Sequence, residues 1–175
     1  MVKKYFSTIF FAIALLSFSP FLYAWDLAVS VGRTGQTQTT YRVGAFQDWS
    51  SRWLESSTGY VSGFWDIGLT RWQAGDLGQT SYSLSLSPVF VYQFKRSGSL
   101  QPFFEAGIGA AAFSKTRVGD KQLGGSLNFE DRLGVGFDYG KHRFGFRVLD
   151  YSNAGISKPN EGVESYSLYY SYRFD

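Results

Sequence analysis

From Leu27 onward, apolar residues alternate with polar or small ones in segment after segment. Leu27, Val29 and Val31 alternate with Ala28, Ser30 and Gly32, and Tyr41, Val43 and Ala45 with Arg42, Gly44 and Phe46. In a third segment Val61, Trp65, Ile67 and Leu69 face away from Ser62, Phe64, Asp66, Gly68 and Thr70. The fourth is the most regular. Tyr82, Leu84, Leu86, Pro88, Phe90, Tyr92 and Phe94 share one face; Ser81, Ser83, Ser85, Ser87 and Gln93 share the other. A period of two is the mark of a strand rather than a helix. The fifth segment, 103–113, is rich in Gly and Ala and alternates weakly. The sixth (129–139) and seventh (142–152) alternate well and are joined by a tight Gly140-Lys141 turn. The eighth sets Glu164, Tyr166, Leu168, Tyr170, Tyr172 and Phe174 against serines and Arg173.

Eight strands of roughly ten residues each are what a small membrane-spanning barrel requires, in number and in length. The alternation predicts an all-β fold: an eight-stranded antiparallel up-and-down transmembrane β-barrel. A soluble β-sandwich would use the same pattern with its apolar face turned to a core, and is the competing architecture. In the barrel, closure satisfies every backbone group and leaves no edge in the bilayer. An eight-stranded interior is filled by side chains rather than open. The inward set holds Glu130, Arg132, Asp138, Arg143, Arg147 and Arg173 among serines and glycines, which predicts an ion-paired polar plug. With both termini on the periplasmic side, the turns at 49–58, 95–101 and 140–141 are periplasmic. The loops at 33–39, 73–80, 114–127 and 153–163 are then extracellular.

The N-terminus supplies the route to such a membrane. Lys3 and Lys4 precede an apolar run from Tyr5 to Phe18, Ser19-Pro20 breaks it, and Ala24 offers a small residue for cleavage. Residues 1–24 read as a secretory signal peptide and 25–175 as the barrel. The run is short for a spanning anchor helix. Removing Lys3 and Lys4 lowers the formal net charge from +3 to +1, so the basic balance carries no argument for a nucleic-acid partner. Aromatic residues make up 19% of the chain, and no cysteine is present to brace an exported protein. With one histidine and no cysteine, a zinc or other soft-metal site is not expected.

Candidate chemistry gathers in 147–164. Asp150 and Ser152 are two residues apart on strand seven and share a face with Phe144, Phe146 and Val148. That face is the lipid face, and both residues lie at its extracellular end. Glu164 opens strand eight on the same face, across the hairpin. Asp131 lies near the start of strand six, also on that face, on the other side of strand seven. Polar groups on a lipid-facing wall are costly and ask for a function. The loop Asn153-Ala154-Gly155 offers backbone N–H groups or the Asn side chain to an oxyanion. An ordinary Asn/Gly turn would show the same residues.

The chain also resembles the lipid A 3-O-deacylases of the PagL family. The resemblance is carried by Phe129-Glu130-Asp131-Arg132-Leu133-Gly134-Val135-Gly136, by Tyr151-Ser152-Asn153-Ala154-Gly155-Ile156, and by Pro159-Asn160 with Glu164 following. It covers the last fifty or so residues well and the earlier strands mainly in pattern. It implies an eight-stranded outer-membrane barrel that removes the ester-linked acyl chain at the 3 position of lipid A, the lipid of lipopolysaccharide. It implies neither a metal nor an organic cofactor. By the resemblance, Ser152 is the nucleophile and Glu164 the acid that orients a histidine. Asn153, Ala154 and Asn160 belong to the active site and its oxyanion pocket, and Phe129 and Asp131 lie close to it. The family's histidine is replaced by Asp150. The only histidine, His142, is eight residues from Asp150, roughly 26 Å along a strand and on the opposite side of the membrane. Three readings follow: Asp150 serves as the base in a Ser-carboxylate arrangement; the chain binds lipid A without turnover; or the barrel is structural.

Overall fold

The alternation closes on itself. In the computed structural model, which describes residues 25–174, eight long strands form one closed barrel. They are β1 (Asp26–Arg33), β2 (Thr39–Asp48), β3 (Gly59–Trp72), β4 (Ser81–Phe94), β5 (Leu100–Phe113), β8 (Leu127–Tyr139), β9 (His142–Ser152) and β10 (Val163–Tyr172). A two-stranded hairpin, β6 (Arg117–Val118) and β7 (Lys121–Gln122), lies between β5 and β8. Around the barrel the order is β1-β10-β9-β8-β5-β4-β3-β2, and β1 closes the ring by pairing antiparallel with β10 from Leu27↔Tyr172 to Arg33↔Tyr166. The expected signal peptide, 1–24, lies outside the described residues, as does Asp175.

The face assignment follows the sequence pattern. Val29, Val43, Leu69, Leu84 and Leu168 are all more than half exposed, as side chains on a lipid-facing wall must be. Their neighbours Ala28, Arg42, Thr70, Ser85 and Ser167 are buried in the interior. Small inward residues on β4 and β10 leave room for long inward residues elsewhere. Gly68 is part of this: a Cβ there would collide with the guanidinium of Arg42.

The interior has three levels. At the end carrying loops 34–38, 73–80, 114–126 and 153–162, Trp72, Phe113, Val118, Leu123, Leu149, Tyr151 and Val163 form an apolar cap. At the other end Phe46, Phe64, Val91, Phe103 and Tyr169 form a second cluster. Between them lies the ion-paired plug. Asp66 meets Arg42 at 3.1 Å, Arg132 at 2.5 Å and Arg147 at 3.4 Å. Glu130 meets Arg132 at 2.7 Å and accepts hydrogen bonds from Ser87 and Tyr151, each at 2.7 Å. Buried charges persist only when paired in this way.

Candidate active site

The pairing register builds the site directly. Asp150 of β9 lies opposite Asp131 of β8 on one side and opposite Glu164 of β10 on the other. Directly opposed residues on one face have Cβ atoms about 4.5–5.5 Å apart, so three carboxylates stand in a row across the outer wall. Ser152, two residues up the same face, lies opposite Phe129. The four polar residues and Phe129 therefore come together as the sequence pattern places them. Asp150 is exposed, and Ser152, Asp131 and Glu164 are half-buried. Among the described residues, neither Ser152 Oγ nor the carboxylates of Asp131 and Asp150 have a hydrogen-bond partner.

Glu164 is different: both of its oxygens are occupied. Oε1 accepts from the backbone N–H of Gly35 at 3.1 Å, and Oε2 pairs with Lys121 Nζ at 2.9 Å. Gly35 can approach so closely because it has no side chain; a Cβ there would strike Glu164 Oε1. Asp150 is among neither oxygen's partners.

Asn153 is an organiser of the loop rather than a free donor. It is 3% exposed. Its amide nitrogen donates to the carbonyls of Leu123 at 2.6 Å and Ser157 at 2.9 Å. Its Oδ1 accepts from the N–H groups of Gly155 at 2.9 Å and Ser157 at 3.3 Å. Its own N–H donates to Asn160 Oδ1 at 3.1 Å, so Asn160 also acts on the loop. Of the oxyanion donors suggested by the sequence, the Asn153 side chain is thus spent. Among the N–H groups of 153–155, only that of Ala154 has no acceptor among the described residues. Ala154 takes a left-handed backbone, φ 52°, and Gly155 follows at φ 80°, which turns the chain sharply just past the serine.

Two bonds to one oxygen and two from one nitrogen make Asn153 the hub of 153–157. Asn153→Ala removes all four, each worth about 1 kcal/mol. The expected outcome is amide exchange at Gly155 and Ser157 at least about tenfold faster than in the parent, with the strands still folded by heat-modified gel migration. Unchanged protection at both amides would refute this role.

Below the carboxylate row the wall is hollow. Phe90, Ala106, Ile108, Leu133 and Val148 line a cavity of about 520 Å³, with Asp131 and Asp150 at its edge. The hollow forms where β5 sets Ala106 opposite Phe90 of β4 and Gly107 beside it. The weak alternation of 103–113 is the sequence trace of this groove. His142, by contrast, stands at the far end of β9, opposite Tyr139 and Tyr172, with Nδ1 2.9 Å from the Tyr170 hydroxyl. It has no part in the site.

Three contributors escape the sequence reading: Gly35, Lys121 and Leu123. They come from loops on other strands. The loop 114–127 reads as polar and featureless, yet Val118-Gly119-Asp120-Lys121 is a strand-turn-strand pattern, and Gly119 has φ 58°. Val118 and Leu123, flanking it, are the apolar anchors that were the available signal.

Comparison with known proteins agrees with this geometry. A family model described as lipid A 3-O-deacylase (PagL) matches residues 35–173. The chain is 53% identical over 148 residues to a lipid A deacylase PagL of Pseudomonas aeruginosa, covering 84% of this chain and 85% of that protein. It is 44% identical over 73 residues to a lipid A deacylase PagL of Bordetella bronchiseptica, covering 41% of each. The crystal structure of the outer membrane enzyme PagL superposes with a TM-score of 0.82 at 53% identity, covering 84% of this chain and 98% of that one.

Proposed function

The chain belongs to the lipid A 3-O-deacylase (PagL) family, and from that premise we propose that it is an outer-membrane esterase that removes the 3-position acyl chain of lipid A. The observation that carries the reading is the position of Ser152. It stands on the lipid-facing wall, beside a row of carboxylates and above an apolar groove. A substrate for such a serine must present its ester from within a membrane leaflet, with its chain lying along the wall.

In this reading Asp150, on the same face as Ser152, takes the serine proton as Oγ attacks the ester carbonyl. The Ala154 N–H donates to the tetrahedral oxyanion, in the manner of an oxyanion hole. Collapse breaks the bond to the sugar 3-oxygen, which leaves with the proton held by Asp150. The acyl chain is then an ester of Ser152. Water attacks that ester and gives its proton to Asp150; collapse breaks the bond to Ser152 Oγ, which takes that proton back from Asp150, so the fatty acid leaves and both Ser152 and the Asp150 carboxylate are restored. Glu164 and Asp131 flank Asp150; Phe129 stands opposite the serine on β8. The substrate is lipid A of the outer leaflet.

A second reading is favoured by one observation. Asp150 stands where the family resemblance places a histidine, and neither oxygen of Glu164 is turned to it. The chain would then bind lipid A without turning it over. Mass spectrometry of lipid A from cells expressing the protein separates the two. We expect loss of one 3-position acyl chain with the parent and none with Ser152→Ala. Identical lipid A in both would leave the binding reading in place.

A further inference from the structure

The loop-bearing mouth of the barrel is closed by the 114–126 segment, and this segment is tied to the site at three points. Val118 and Leu123, 1% and 0% exposed, sink into the apolar cap with Trp72, Phe113 and Tyr151. The Leu123 carbonyl holds the Asn153 amide at 2.6 Å. Glu161 N–H donates to the Gln122 carbonyl at 3.0 Å, and the Gln122 N–H returns to the Glu161 carboxylate. Lys121 lies between these anchors, so the direction of its side chain is set by a braced hairpin. Its ammonium meets Glu164 Oε2.

From this geometry we propose that Lys121 is a positioning residue of the active site, matched to the aspartate at position 150. The proposal rests on the reading above, in which Ser152 is the nucleophile. Like charges directly opposed across strands repel, and Asp131, Asp150 and Glu164 are such a row. A base that is itself a carboxylate can act there only if a cation holds the row together. Lys121 is the one cation ion-paired to this row among the described residues. A neutral imidazole at position 150 would add no negative charge and would not need it. Lys121 and Asp150 thus form a pair whose effects depend on each other, which distinguishes positioning from plain bracing.

The test measures kcat and KM on lipid A in detergent micelles for the parent, Lys121→Met and Lys121→Arg, and for the same lysine variants in an Asp150→His background. Lys121→Met is expected to lower kcat by about tenfold or more at nearly constant KM, with most of the rate kept in Lys121→Arg. In the Asp150→His background the same change should cost less than about twofold. Equal losses in both backgrounds, or no loss in the parent, would overturn the proposal. A second measurement is independent of turnover: acetylation of Lys121 by acetic anhydride, read by peptide mass. Lys121 should acetylate at least about fivefold more slowly in the parent than in Glu164→Gln, and equal rates would overturn the pairing. If the parent shows no Ser152-dependent turnover, the catalytic reading fails, and the acetylation rates alone decide whether Lys121 holds Glu164.

Discussion

Asp150→His raises the rate of lipid A deacylation at least about tenfold over the parent, because a base whose ordinary pKa lies near the working pH is more effective than a carboxylate in the same place. The argument starts from Ser152. Its hydroxyl has no hydrogen-bond partner among the described residues, and the base beside it on the same face, Asp150, is a carboxylate, which takes a serine proton less readily at neutral pH than an imidazole does. Asp150 is exposed and directly opposite Glu164, so an imidazole replacing it has room on the outer face and an acid across the strand. Glu164 already binds Lys121 and Gly35, but a carboxylate has about four lone-pair sites and can accept an imidazole N–H as well. The new ring can then orient as a neutral base toward Ser152. Release of fatty acid from lipid A by the purified variant is the measurement. The gain must vanish in Asp150→His/Ser152→Ala. A variant that folds yet stays at the parent's rate would show that Asp150 is not the residue limiting this chain.

The barrel was legible in the sequence because side-chain direction in a strand has a period of two, and lipid on one side with a packed interior on the other enforces it everywhere. The same parity placed Asp131, Asp150, Ser152 and Glu164 on one outer face before any contact was known, since residues on neighbouring antiparallel strands follow from the hairpin register. What parity cannot give is the position of a loop. Gly35 reaches Glu164 across 129 residues of sequence, and Lys121 across 43. Neither separation is implied by any local pattern. The role of Asn153 is hidden in the sequence for the same reason. As a residue in an Asn-Ala-Gly turn it could equally face a substrate or its own loop, and the choice was made by the Leu123 carbonyl, from a segment that reads as polar coil. The ionic plug is legible on β8 and β9, in Glu130, Arg132 and Arg147, but its centre, Asp66, is not. One carboxylate among inward serines and glycines gives no hint that three arginines converge on it.

That convergence gives the second large effect. Asp66→Ala destabilises the barrel by about 3–5 kcal/mol, the cost of leaving buried charge without its partner. Asp66 is 0% exposed and pairs with Arg42, Arg132 and Arg147. Glu130 remains for the first two, at 3.6 Å and 2.7 Å; Arg147 keeps its approaches to the Tyr169 and Phe46 rings, 3.8 Å and 5.6 Å from the centroids, but loses its carboxylate partner. Unfolding by guanidinium in detergent micelles, followed by loss of the fast-migrating gel form, should show the midpoint well below that of the parent. Lys115→Ala, at an exposed residue, should stay within about 0.5 kcal/mol. The effect should reach the outer wall too. Tyr151 points inward and donates to Glu130, while its neighbours Asp150 and Ser152 point outward on the same strand. Glu130 in turn flanks Asp131 on β8. The plug therefore holds the two backbones that carry the site, and a variant without Asp66 should lose turnover at denaturant concentrations where the parent is still fully folded. An unchanged midpoint would mean that the three guanidinium groups are neutralised without Asp66, and that the plug is not what sets the register of β8 and β9.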